Sequence, residues 1–249
     1  MRQVFLITCF SLLIGTVLLA CNSARPGQLA NQGPLQSGID AYTAYSEGDC
    51  EAIDTYMREI AVHKVDMVDS SNGELFSSAL LLESFCAELQ GDVVRARKIY
   101  RRLLRESPLS FAAADARERL RVFRLREEVS DYEEQIAASR VRAIGGSTDR
   151  APVKRKPADY PPLAMWADIN GRAVVEFGVT PRGDTHSAVV VDSDPPLIFD
   201  GAALRAIRGW RYAIDVDGSE SRRQAIRIIF NPEDGYLNDA ERALSGSAD

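Results

Sequence analysis

The chain has 249 residues with 45% hydrophobic and 27% charged side chains, proportions that exclude global disorder and allow two small domains beyond a leader and linker. A formal net charge of -6 argues against nucleic acid as a partner, because binding through phosphate contacts needs a basic surface. The two histidines, His63 and His186, lie far apart and the cysteines form no CxxC pair, so neither a metal site nor a cofactor is expected.

Arg2 supplies a positive start, and Val4 to Ala20 is an apolar run interrupted only by Thr8, Ser11 and Thr16. That order is the one a secretory leader has. The following Leu18-Leu19-Ala20-Cys21 resembles the lipobox of bacterial lipoproteins. The resemblance implies that residues 1–20 are a cleaved signal peptide and that Cys21 is the lipidated mature N-terminus. Two or three acyl chains anchor a protein stably where one holds it only marginally. An ordinary cleaved signal or an uncleaved helix is the alternative, since the run is about the minimum length for a membrane span. Asn22 stands where the family's inner-membrane retention signal has aspartate. The implied location is therefore the periplasm, anchored in the inner leaflet of the outer membrane.

Residues 21–38 carry Pro26, Gly27, Gly33, Pro34 and Gly38 with little apolar content, and read as a flexible spacer. Residues 39–144 read as helical. Ala41, Tyr42, Ala44 and Tyr45 mark one helix, Gly48-Asp49 breaks it, and Asp49 can cap a second helix bearing Ile53, Tyr56, Met57 and Ile60. The plan returns downstream. Leu75 to Leu89 is helical, Gly91-Asp92 breaks and caps, Val93 to Leu104 follows, and Pro108 closes the unit. The two Gly-Asp turns lie 43 positions apart, longer than the usual ~34 of a tetratricopeptide unit. Cys86 to Asp92, with Ala96, Tyr100, Leu103, Leu104 and Pro108, nonetheless resembles a tetratricopeptide repeat. The first copy is degenerate, with Ile53 at the small position.

A third helical segment is expected from Leu109 to Ala143, with Ala112, Ala116, Leu120, Phe123 and Leu125 near one face. Arg117, Arg119, Arg121, Arg124 and Arg126 dominate the rest, joining Arg95, Arg97, Lys98, Arg101, Arg102 and Arg105 upstream. Two readings stand: a patch for anionic lipid, peptidoglycan or an acidic partner, or a solvated face balanced by acids such as Glu118 and Glu127. In an oxidising periplasm Cys50 and Cys86, in neighbouring helices, are candidates for a disulfide. Two buried free thiols are the alternative.

Residues 145–156 form a basic linker with Gly145-Gly146-Ser147 and Pro152, and a domain boundary belongs there. Residues 157–232 then change period. Tyr160-Pro161-Pro162 enters a short helical turn ending near Trp166. Gly171 opens a strand with Ala173, Val175, Phe177 and Val179 on one face, and Pro181 to Asp184 turns the chain. Ala188 to Val191 completes an antiparallel hairpin, and Phe199 to Ile207 is an amphipathic helix. Arg222 to Phe230 alternates as a last strand, and residues 233–249 are a tail.

This order of elements resembles the TonB C-terminal domain family. The family's entry appears as Tyr160-Pro161, and its gly-x-val-x-val-x-phe strand as Gly171 to Phe177. Its turn appears at Gly183, its phe-asp-x-ala-ala helix start as Phe199-Asp200-Gly201-Ala202-Ala203, and its trp-arg-aromatic motif as Trp210-Arg211-Tyr212. Ala213 departs from the family's usual proline. Phe199 and Trp210 are read as core residues.

The fold class is thus a helical, tetratricopeptide-like domain followed by a small α+β domain with an antiparallel sheet. The resemblance implies recognition by strand addition, in which a partner's extended segment joins a sheet edge. Arg222, Arg223, Ala225, Arg227 and Ile229 on the last strand are the candidate edge, and its arginines could select acidic peptides. The implied partners are envelope proteins, TonB-dependent receptors or other outer-membrane proteins among them, with a homodimer as an open alternative. Force transduction by this chain alone is not expected, because the lipobox replaces the coupling helix and the linker is too short for a periplasmic rod. The competing reading is an envelope scaffold that binds partners or peptidoglycan through the helical repeats. No nucleophile, paired-carboxylate or metal constellation is present, so the chain is not expected to be an enzyme.

Overall fold

The computed structural model describes residues 34–62, 70–145, 151–214 and 223–233. The leader with Cys21, most of the spacer, His63, Arg222 and nearly all of the tail lie outside them.

Six helices come first among the described residues: α1 (Pro34–Ser46), α2 (Cys50–Val62), α3 (Ser70–Leu89), α4 (Val93–Glu106), α5 (Phe111–Glu128) and α6 (Tyr132–Gly145). α1 begins within the expected spacer because Pro34 suits a first helical turn. Gly38 inside it answers to packing: a Cβ there would lie 3.1 Å from Leu75 and 3.4 Å from Leu163. The two Gly-Asp turns share one geometry. Gly48 (φ 83°) and Gly91 (φ 80°) take the left-handed backbone that ends α1 and α3. Each returns its N–H three residues back, to Tyr45 and Glu88, and the next residue reaches five back, to Ala44 and Ala87. This is the Schellman pattern, which satisfies carbonyls a helix end would otherwise leave bare. The aspartate that follows caps the next helix, Asp49 accepting from the Ala52 N–H and Asp92 from the Arg95 N–H, each at 3.0 Å. Tyr45, Phe85, Tyr100 and Phe123 stack through the helical core with centroids 5.9, 6.4 and 6.1 Å apart. Cys50 and Cys86 are joined by a disulfide that ties the start of α2 to α3.

The segment expected as one helix from Leu109 to Ala143 is two. Val129 turns extended (φ -112°, ψ 105°) while its N–H still caps Leu125. The bend frees α6 to lie against the sheet, a tertiary contact that overrides continuous helical composition.

The remaining elements are α7 (Pro162–Trp166), β1 (Gly171–Val179), β2 (Thr185–Asp194), α8 (Asp200–Arg208) and β3 (Arg223–Phe230). They form the expected α+β arrangement, a three-stranded antiparallel sheet in the order β2-β1-β3. Alternation turns Ala173, Val175 and Phe177 of β1 toward α8, Phe199 and Trp210. Every β1 residue from Ala173 to Val179 is nevertheless buried, because α6 lies across the strands as well. A strand covered on both faces is buried at every position. The described residues from Pro34 onward pack as one compact unit. Among the described residues no helix is long and apolar enough to cross a membrane.

Candidate functional site

The motif residues converge on one small core. Tyr160 places its ring edge-on against Phe199 (5.5 Å) and Phe230 (5.8 Å) and donates its hydroxyl to the Ile169 carbonyl. Phe199 and Phe230 stack at 4.3 Å, which fastens the end of β3 to the start of α8. A Cβ at Gly171 would collide with the Phe199 ring, so the strand start must be bare for that stack to form. Phe177 packs between Trp210 (6.3 Å) and Tyr212 (6.1 Å). The Trp210 indole donates to the Lys156 carbonyl at 2.9 Å, and Arg155 lies over its ring at 4.7 Å. Gly183 (φ 86°) sits where a side chain would strike the Tyr212 carbonyl, and its own carbonyl accepts from the Tyr212 N–H at 2.9 Å. Arg211 exchanges backbone hydrogen bonds with Lys154 and pairs with Asp184 at 3.1 Å. Pro161 precedes α7, and Ala203 is fully buried in α8.

This core presents β3 at the margin of the sheet. Among the described residues β3 pairs with β1 alone, in the register Gly171↔Phe230 to Gly178↔Arg223. Arg223, Ala225, Arg227 and Ile229 share one face, opposite Gln224, Ile226, Ile228 and Phe230. Arg223 is anchored by the buried Glu176 carboxylate at 2.6 Å. Arg227 is exposed and Ile229 is 63% exposed. The edge therefore carries one fixed cation, one solvent-facing cation and one solvent-facing aliphatic side chain.

The sheet is backed by α8, whose other side meets the helices in a junction that the sequence reading did not anticipate. Three buried acids of the helices, Glu88, Asp115 and Glu118, meet arginines of α5 and α8. Arg205 bonds Asp115, and Arg208 clasps both oxygens of Glu118. Arg119, itself buried, joins Glu88 of α3 to Asp200 of α8, the latter at 3.5 Å. Tyr100 donates to Glu88 at 3.0 Å, and the Tyr45 hydroxyl donates to the Pro196 carbonyl at 3.0 Å. Asp200, read as a helix-start motif, thus also faces the helical part. Burial pushes its carboxyl above the usual range against the lowering effect of Arg119. Burial likewise pushes Asp115 up to about 6, outweighing Arg205. Burial opposes the Arg119 charge, but Glu88 and Asp200 overcome it and hold the guanidinium protonated. The available signal was the spacing of Asp115, Glu118 and Arg119 beside Ala112 and Ala116, which puts charges on the helix face meant for packing. Among the described residues no cluster of three ligating side chains could hold a metal ion.

Comparison with known proteins bears on the same segment. Residues 156–232 match the family described as Gram-negative bacterial TonB protein C-terminal. Protein TonB of Pseudomonas aeruginosa is 32% identical over 84 residues, covering 33% of this chain and 25% of that protein. Protein TonB of Salmonella typhimurium is 30% identical over 88 residues, covering 35% of each. The chain therefore spans well under half the length of these relatives. The solution structure of the Pseudomonas aeruginosa TonB C-terminal domain is 28% identical, with a TM-score of 0.31, covering 34% of this chain and 89% of that one.

Proposed function

We propose that this chain, whose residues 156–232 match the TonB C-terminal family, is a non-catalytic envelope protein that captures extended segments of outer-membrane transporters or other envelope proteins by strand addition at β3. The observation that carries the reading is that β3 ends the sheet and, among the described residues, is paired on one side only. An open strand edge offers a row of N–H and C=O groups to an incoming peptide. Arg227 and Ile229, exposed beside that row, would favour a segment with an acidic and an apolar residue in alternation.

The test is a pair of proline substitutions at neighbouring positions, Arg227→Pro and Ile228→Pro. Adjacent strand residues point their N–H groups to opposite sides, so one of the two removes an outward donor while the other cuts the ladder to β1. The outward variant should retain its thermal transition and lose binding to a synthetic transporter segment by more than tenfold. Undiminished binding by both folded variants would remove strand addition from the function.

The anchor belongs to the same proposal: Cys21 carries lipid and holds the protein at the periplasmic side of the outer membrane. What supports it is the Leu18-Leu19-Ala20-Cys21 sequence. Labelled palmitate should enter the wild type and not Cys21→Ser, and equal labelling would dismiss the anchor.

A further inference from the structure

The neighbouring helices α4 and α5 each carry an outward stripe of cations. On α4 the buried residues are Ala96, Ile99, Tyr100 and Leu103. Helical geometry puts Val94, Lys98, Arg101 and Arg105 on the opposite side, and all four are exposed. On α5, Arg117, Arg121 and Arg124 are exposed in the same way. The helices run antiparallel, and side chains pin them at both ends. Arg97 of α4 donates to the Phe123 carbonyl at 3.1 Å and pairs with Glu127, while Arg117 of α5 donates to the Pro108 carbonyl. These contacts set Arg101 at about the level of Arg121 and Arg124 along the antiparallel pair, and Arg105 at about the level of Arg117 and Arg121.

None of Lys98, Arg101, Arg105, Arg121 or Arg124 has a carboxylate partner among the described residues. The two acids that sequence alone offered as balance are engaged elsewhere. Glu118 is buried against Arg208, and Glu127 is held by Arg97. Glu106, which follows Arg105, is exposed and pairs with Arg102. Six exposed cations therefore lie on the outward sides of two neighbouring helices, in a chain whose formal net charge is -6. Exposed aliphatic side chains stand at both ends, Val94 at 81% and Leu109 at 97%.

We propose that this α4–α5 face docks on an anionic phospholipid surface, its arginines meeting headgroup phosphates while Val94 and Leu109 enter the interfacial layer. Charge complementarity and the aliphatic ends select that occupant. Exposed cations flanked by exposed Val94 and Leu109 offer a headgroup layer both phosphate contacts and apolar insertion, whereas an acidic peptide would make no use of the aliphatic ends. Cations near such a surface add to binding one by one and are screened by salt.

The experiment uses the full chain carrying Cys21→Ser, mixed with vesicles of phosphatidylethanolamine and phosphatidylglycerol, or of phosphatidylcholine alone. Hydrogen exchange across α4 and α5 reports the face locally, independent of any association by the N-terminal apolar run. Protection should appear with the anionic vesicles, be absent with the neutral ones, and fade as salt is raised. Lys98→Glu/Arg101→Glu/Arg121→Glu should remove it while circular dichroism stays unchanged. Its partition to anionic vesicles should fall at least tenfold, roughly fivefold per cation being the scale near an anionic surface. Equal protection by both vesicle types would overturn the proposal. So would protection by soluble polyglutamate without protection by anionic vesicles, which would assign the face to an acidic protein. Should the triple variant unfold, Arg101→Gln/Arg121→Gln gives the same comparison.

Discussion

Asp115 reaches Arg205 only because position 201 has no side chain. A Cβ on Gly201 would collide with the Asp115 carboxylate, so the closest approach of α5 to α8 depends on one missing methyl group. The aspartate so enclosed has its carboxyl pushed up to about 6 from an ordinary 3.8. A carboxyl raised in this way binds its proton more tightly folded than unfolded. Its contribution to stability is full below the unfolded value and is lost as pH rises through about 6. Between those limits one such group changes the unfolding free energy by at most about 1.4 kcal/mol per pH unit, falling as pH rises. Asp115→Asn should flatten that slope in urea titrations run from pH 4 to pH 7, leaving the contribution of Asp200, which has the same sign. An unaltered slope would mean that Asp115 ionises as freely in the folded protein as in the unfolded chain.

At the scale of elements, legibility followed how local the cause is. The Gly-Asp turns, the caps at Asp49 and Asp92, the β1–β2 hairpin and the Phe199 helix are set by residues a few positions apart, and each was readable from the chain. The break at Val129 was not, because nothing in Glu127 to Asp131 forbids a helix. What ends α5 there is the sheet surface waiting for α6. The start of α1 was hidden for a similar reason, Gly38 being a contact with Leu75 and Leu163 and not a breaker. Glu118 of the junction was read as surface balance, since spacing alone does not say which helix face meets a second layer. The local cause can be tested at the turns. Gly48→Ala and Gly91→Ala both force a side chain into a left-handed backbone with open space around it. Each should therefore cost about 1 kcal/mol from backbone conformation alone, read as a lowered denaturation midpoint. Costs differing severalfold between the two turns would show that one bears a load the other does not.

The described helices and sheet hold together because ion pairs that are costly to bury cross the line where a family boundary would be drawn. Removing one partner of such a pair leaves a buried charge stranded, a loss of roughly 3–5 kcal/mol, whereas separate beads on a string would feel nothing. The match to relatives begins at residue 156, yet a protein cut there would lose α6 from its sheet and the acids from Arg205 and Arg208. Inheritance across that line is then constrained. A homologous C-terminal segment spliced onto these helices brings its own residues to positions 200, 201, 205 and 208. It will assemble only if they answer Glu88, Asp115, Glu118 and Arg119. The junction works as a matching code between two parts of one gene product, and substitutions on either side are tolerated in pairs rather than singly.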